Sequence, residues 1–150
     1  MDTSREQRMR TIRDLLDGYG SLSVTSLLKP LAPELQYQTL PESLGFPVRN
    51  IDSFRHHAEG IYGIFDEFKM IPRLITDDTV SGIVTIHAQM LGILRASKRQ
   101  WRNECIMLIR LTEDGLKVCE IKEFVDSAKA IEMARTQAPA GLFDEERPAL

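Results

Sequence analysis

The stretch from Trp101 to Ser127 constrains this chain more than any other, because it reads as a β-hairpin with two unequal faces. Apolar-rich runs flank a Glu113-Asp114-Gly115 turn, a strong hairpin signal. Side chains alternate between faces along a strand. In the first run Trp101, Asn103, Cys105, Met107, Ile109 and Leu111 share the apolar face, opposite Arg102, Glu104, Ile106, Leu108 and Arg110. In the second run Cys119, Ile121, Glu123 and Val125 lie opposite Val118, Glu120, Lys122, Phe124 and Asp126. One amide, Asn103, and one carboxylate, Glu123, therefore interrupt faces that are otherwise apolar. A carboxylate buried without partners or water is costly, so the pattern predicts a pocket at this point.

Upstream, Met9, Ile12, Leu15, Leu16 and Tyr19 recur at helical spacing. They predict a helix over 4–19, with Thr3 or Ser4 to cap it and Gly18 or Gly20 to stop it. A short helix follows over 23–28 and ends at Pro30. Alternation over 35–40 predicts a strand buried on its Leu35, Tyr37, Thr39 side. A turn-rich loop, 41–47, leads to a helix from Asn50 or Ser53 to about Phe65, with Ile51, Phe54, Ala58, Ile61, Tyr62 and Phe65 inward. Strands over 68–76 and 82–91 flank an Asp77-Asp78 turn. The hairpin then runs into a short helix from Ser127 to about Arg135. The expected architecture is α+β: a curved, mainly antiparallel sheet wrapped as a cone around N-terminal helices and enclosing a cavity. Residues 1–135 form this single domain, and the tail 136–150, with Leu142 and Phe143 in an acidic setting, is a candidate lid over a cavity mouth.

The chain has 150 residues, and its hydrophobic and charged fractions of 43% and 27% are those of an ordinary soluble domain. A net charge of -3 provides no basic footprint for nucleic acid. No apolar run reaches the ~18 residues a membrane span needs, and no secretory signal opens the sequence. The hairpin register sets the two cysteines about four rungs apart, roughly 13 Å at ~3.3 Å per residue, beyond the ~7 Å limit of a disulfide. Two free thiols and a cytoplasmic protein are the expectation. Metal-ligand spacings, a P-loop and a dinucleotide-binding glycine pattern are all missing from the sequence, so neither metal nor cofactor is expected.

Three segments carry a resemblance: Leu40-Pro-Glu-Ser-Leu-Gly-Phe-Pro-Val-Arg49, Trp101-Arg-Asn-Glu-Cys105, and Thr112-Glu-Asp-Gly-Leu-Lys-Val118 running into Glu123-Phe-Val-Asp-Ser127. With the order of elements, they resemble the SnoaL-like branch of the nuclear-transport-factor-2-like superfamily, the cone fold shared with ketosteroid isomerase. Within it the chain is most similar to small isomerases of fungal meroterpenoid biosynthesis, of the terretonin and austinol type. The resemblance spans roughly residues 5–135. It implies a cofactor-free homodimer that rearranges a lactone or ester of a polycyclic terpenoid. One departure stands out: Arg95-Ala-Ser-Lys-Arg-Gln-Trp-Arg102 replaces the Gly-Pro-aromatic turn of many relatives, giving a basic, aromatic rim.

On this reading Glu123 is the first candidate for acid–base work, as a carboxyl whose pKa is raised by an apolar cavity. An ion-paired core carboxylate is the alternative. Asp126 either reaches the same cavity or caps the final helix. His57 flanks the apolar face of the third helix and is a third candidate for proton transfer. Tyr37 and Tyr19 offer hydroxyls to a substrate carbonyl or pack in the core. Asn103 can orient Glu123 or hold a carbonyl. Arg49 can bind a carboxylate or ester or pair with Asp52 or Glu59. His87 lines either the pocket or a subunit interface. The predicted activity is isomerisation or cyclisation of a polycyclic small molecule, with dehydration, ester hydrolysis or simple binding of a lipophilic ligand as alternatives.

Overall fold

The helical spacing of Ile12, Leu15, Leu16 and Tyr19 becomes one buried face of α1 (Thr3–Gly20) in the computed structural model, which describes residues 3–137. Then come α2 (Val24–Leu28), β1 (Leu31–Leu40), a single 3-10 turn (Glu42–Leu44), α3 (Ile51–Tyr62), β2 (Phe65–Asp78), β3 (Ile83–Leu94), β4 (Gln100–Leu111), β5 (Val118–Val125) and α4 (Ser127–Thr136). The architecture is α+β, as expected. Among the described residues no helix is long and apolar enough to cross a membrane.

Capping fixes where the later helices begin. The Asn50 side chain accepts from the Ser53 N–H at 2.9 Å, and Asp126 accepts from the Ala128 N–H at 3.1 Å. Each satisfies a backbone donor that a helix start leaves without a partner. The third helix stops at Tyr62 instead of Phe65. Phe65 opens β2 and is fully buried there.

The five strands form one sheet in the order β1-β5-β4-β3-β2. The pairs β2–β3, β3–β4 and β4–β5 are antiparallel, whereas β1 lies parallel to β5 with Tyr37 opposite Ile121 and Thr39 opposite Glu123. Alternation sends Val84, Ile86, Ala88 and Met90 of β3 and Cys105, Met107 and Ile109 of β4 to the concave face, all buried against the helices. Pro72 is tolerated in β2 because that strand is a sheet edge and its register shifts between Pro72 and Leu74. A second shift, between Arg110 and Leu111, places Val118 inside and leaves Cys119 half-buried. Their faces are therefore reversed from simple alternation, because a bulge inserts one residue into the period of two. Both cysteines are free.

An ion pair ties α1 to the far end of the sheet. Arg8 donates from Nη2 to Asp77 Oδ1 at 2.7 Å and from Nε to both carboxylate oxygens at 3.2 and 3.3 Å. Their side chains are 10% and 1% exposed, so breaking one partner leaves the other charge buried. Asp77→Ala is expected to cost about 3–5 kcal/mol in denaturant unfolding. A loss below ~1 kcal/mol, the range of surface pairs, would show that solvent already screens this pair.

Candidate active site

The concave face, α1, α3 and α4 enclose a cavity of about 140 Å³. That is roughly ten times the ~10–15 Å³ needed for one water, so it has room for part of an organic molecule. Aromatic and sulfur-containing side chains make up much of its wall, Phe54, Phe65, Phe68, Trp101, Met70 and Met133 among them. Trp101 packs on Phe65 and Phe68 with ring centroids 5.3 and 6.4 Å away. Against this apolar surface stand the polar residues Tyr19, Tyr37, Thr39, Arg49, His57, Tyr62, Asn103 and Glu123.

Glu123 sits at the centre of the polar group. It occupies β5 between Thr39 of β1 and Met107 of β4, and only 7% of it is exposed. Tyr37 reaches across the β1–β5 pair and donates its hydroxyl to Glu123 Oε2 at 2.5 Å. Thr39 in turn donates to the Tyr37 oxygen at 3.3 Å. The Cys105 thiol, inward-facing on β4, lies near the carboxyl and directs its S–H to Met70 Sδ at 3.8 Å. Loss of water raises the Glu123 pKa, and the Tyr37 hydroxyl, followed by the nearby Cys105 thiol, opposes that rise only in part. Burial first, then the neighbouring Glu123, pushes the Tyr37 hydroxyl well above its ordinary range.

Arg49 enters through backbone pairing. Tyr37 N–H donates to the Arg49 carbonyl at 2.9 Å and Arg49 N–H to the Tyr37 carbonyl at 2.8 Å. This bridge closes the loop 38–48 and brings the guanidinium, on a residue 8% exposed, into the wall beside His57. Burial chiefly, then the nearby charge of Arg49, lowers the His57 pKa to about 3. His57 is therefore neutral at pH 7 and presents a hydrogen-bonding ring, not a cation. Asn103 accepts the Glu104 N–H at 2.7 Å with Oδ1, which leaves its NH2 group for the cavity.

Of the residues predicted from sequence, the structure brings together Glu123, Tyr37, Tyr19, Asn103, Arg49 and His57. Two expectations are corrected. Asp126 is exposed and caps α4, because the cavity-facing parity of β5 ends at Val125. His87 lies on the outer face of β3, where its Nε2 is 2.5 Å from Glu104 Oε2, because Val84, Ile86, Ala88 and Met90 take the inner one. Asp52, one of the two carboxylates offered to Arg49, pairs with Arg55 at 3.3 Å. The candidate lid, Leu142 and Phe143, lies outside the described residues. Tyr62 and Cys105 were legible only as core residues. Nothing in their spacing separates a wall or supporting position from ordinary packing.

The chain matches no protein-family model. It is 20% identical over 123 residues, 82% of each chain, to monooxygenase dmxR10 of Cryptosporiopsis sp. (strain 8999). It is 24% identical over 133 residues, 85% of this chain and 88% of the other, to austinoid biosynthesis cluster protein H of Aspergillus calidoustus. Among solved structures, BvnE pinacolase from Penicillium brevicompactum superposes with a TM-score of 0.82 at 18% identity, over 89% of this chain and 92% of that one. The fold is the SnoaL-like, nuclear-transport-factor-2-like cone.

The raised carboxyl has a consequence for stability. A folded-state pKa above the unfolded value means that folding retains a proton, so Glu123 lowers stability as pH rises above the ordinary carboxylate range. Glu123→Gln keeps an acceptor for Tyr37 and removes the charge. It is expected to raise the melting temperature at pH 8 and to change it little at pH 4, as read by calorimetry. Equal shifts at both pH values would contradict a raised pKa.

Proposed function

We propose that the cavity performs a cofactor-independent isomerisation or cyclisation of a meroterpenoid-type substrate, a polycyclic terpenoid- or polyketide-derived lactone or ester, by acid–base catalysis. The observation that carries this reading is Glu123: the one carboxyl among the described cavity residues, held by Tyr37 at 2.5 Å, in a cavity whose wall is mostly apolar. An apolar wall with a few convergent polar groups suits a large, oxygen-poor ring system. A carboxyl of raised pKa suits proton transfer at carbon near neutral pH. Arg49 and Asn103 contribute donors, so the complementary ligand carries an acceptor oxygen at one edge of its ring system, as a lactone or ester does. The names of the austinoid-cluster relative and the pinacolase support secondary metabolism and skeletal rearrangement as the setting.

In this mechanism Glu123 moves the proton, while neutral His57 and Arg49 fix the substrate at the loop side of the cavity. Asp126 has no part in it. Purified protein incubated with metabolites from neighbouring biosynthetic genes is expected to give a product of unchanged mass. Glu123→Gln should lower kcat by about 10²–10⁴-fold. Loss of water would instead indicate a dehydratase and gain of water a hydrolase. Gain of one oxygen would follow the name of dmxR10, and unchanged ligand recovered bound would indicate a binding protein.

The outer sheet face supports a homodimer. Ile106, Leu108 and Phe124 are 46%, 38% and 52% exposed there, among Arg102, Glu104, Arg110, Glu120 and Lys122. A face carrying both charge signs round an apolar centre can meet its own copy about a twofold axis. Light scattering at micromolar concentration is expected to give twice the chain mass, and Phe124→Lys to halve it. A single-chain mass for the unaltered protein would rule the dimer out.

A further inference from the structure

Gly92 lies buried within β3, where a glycine weakens a strand because it has no side chain to pack. Its φ is not among the positive values found at Gly45, Gly82 and Gly115, so space and not backbone conformation accounts for it. A Cβ at this position would lie 2.7 Å from both Cδ1 and Cε1 of Phe65 and 3.1 Å from the Glu67 carbonyl oxygen. The Phe65 ring occupies the place of the missing side chain.

A bulge prepares this seat. The β2 register shifts between Phe65 and Glu67, and the extra residue lets Phe65 and Phe68 share the inner face although they are three apart. Phe65 is fully buried, with the Phe68 and Trp101 rings 5.2 and 5.3 Å away, and all three line the cavity. Arg95 pins the backbone here. It donates from Nη2 to the Phe65 carbonyl at 3.1 Å and from its N–H to the Ile64 carbonyl at 2.8 Å. With the backbone held and two rings alongside, a methyl group added at Gly92 drives the Phe65 ring into the cavity.

That end of the cavity is remote from the carboxyl. Gly92 pairs with Trp101, whereas Glu123 pairs with Met107, six residues further along β4. The backbone separation is roughly 20 Å at ~3.3 Å per residue. We infer that Gly92 sets the length of ligand that the cavity admits. The substrate is elongated, with its reacting oxygen function beside Glu123 and an apolar ring system reaching the Phe65 and Trp101 end. This rests on the acid–base reading of the cavity and adds to it a residue that selects by length. Gly92 touches no reacting atom and acts through Phe65, as a positioning residue.

Two ketones that differ by one fused ring test the assignment: 1-tetralone, with two rings, and tetrahydroanthracen-1-one, whose third ring extends away from the carbonyl. Calorimetric titration of the unaltered protein is expected to give about tenfold tighter binding of the longer ketone, from the added apolar area. In Gly92→Ala the ratio should fall to about one, through lost affinity for the longer ketone. Trimming the displaced ring in the double variant Gly92→Ala/Phe65→Leu should return it toward tenfold. A strand merely distorted by the methyl would show no such repair. Phe65→Trp, which enlarges the ring and keeps Gly92, should also lower the ratio and carries the test if Gly92→Ala does not fold. The Gly92 assignment is overturned, and the acid–base reading left standing, by any of three results: a ratio near one in the unaltered protein, a ratio unmoved by Gly92→Ala or Phe65→Trp, or a fall that Phe65→Leu does not restore. If neither ketone binds, both are overturned. The expected ratios without any product in the activity assay overturn the acid–base reading alone.

Discussion

The parallel pairing of β1 with β5 is the constraint on which the site depends. The other three pairs join sequence neighbours through turns and would form in any antiparallel meander. The β1–β5 pair joins segments some eighty residues apart in sequence and must wait for the intervening meander to fold. Its register sets Thr39 beside Glu123 and puts Tyr37 within reach of the carboxyl. A slip of one residue would turn Tyr37 to the outer face and leave Glu123 without its shortest hydrogen bond. The same strand fixes Arg49 through a two-bond backbone bridge to Tyr37. One residue, Tyr37, thus connects the carboxyl, the loop and the guanidinium.

The cavity lies where packing and polarity conflict. Elsewhere the concave face is filled by Val84, Ile86, Met107, Ile109 and Ile121, each fully buried. Toward the α4 end the same strands carry Asn103 and Glu123, and the helices supply Tyr19, His57 and Tyr62. Such departures from an apolar core lower stability and are characteristic of functional surfaces. The electrostatic pattern is consistent with this. Burial drives Glu123, Tyr19 and Tyr37 toward their protonated neutral forms and His57 toward its deprotonated neutral form. Among the described cavity residues, Arg49 is the one whose side chain carries charge irrespective of this effect.

Periodicity disclosed most of the elements because each strand and helix has a dry face and a wet one. It also identified Asn103 and Glu123 as misfits on a dry face. Where expectation failed, a local event had interrupted the period. The helix expected to run to about Phe65 stops at Tyr62, and a bulge reverses Val118 and Cys119. Asp126 and His87 failed for a different reason. Each had two chemically sensible roles, and strand parity at the end of β5 and along β3 chose the one outside the cavity.

By itself the sequence determined the α+β class, the order of the elements and the presence of a carboxylate and an amide on buried strand faces. Those properties follow from local alternation and capping, which act over a few residues. Only the tertiary structure decided which hydroxyl serves Glu123. Tyr19, Tyr37 and Tyr62 are indistinguishable as aromatic residues at core positions. They differ only in what a distant strand or helix end brings within hydrogen-bond distance, and that is a property of packing between elements.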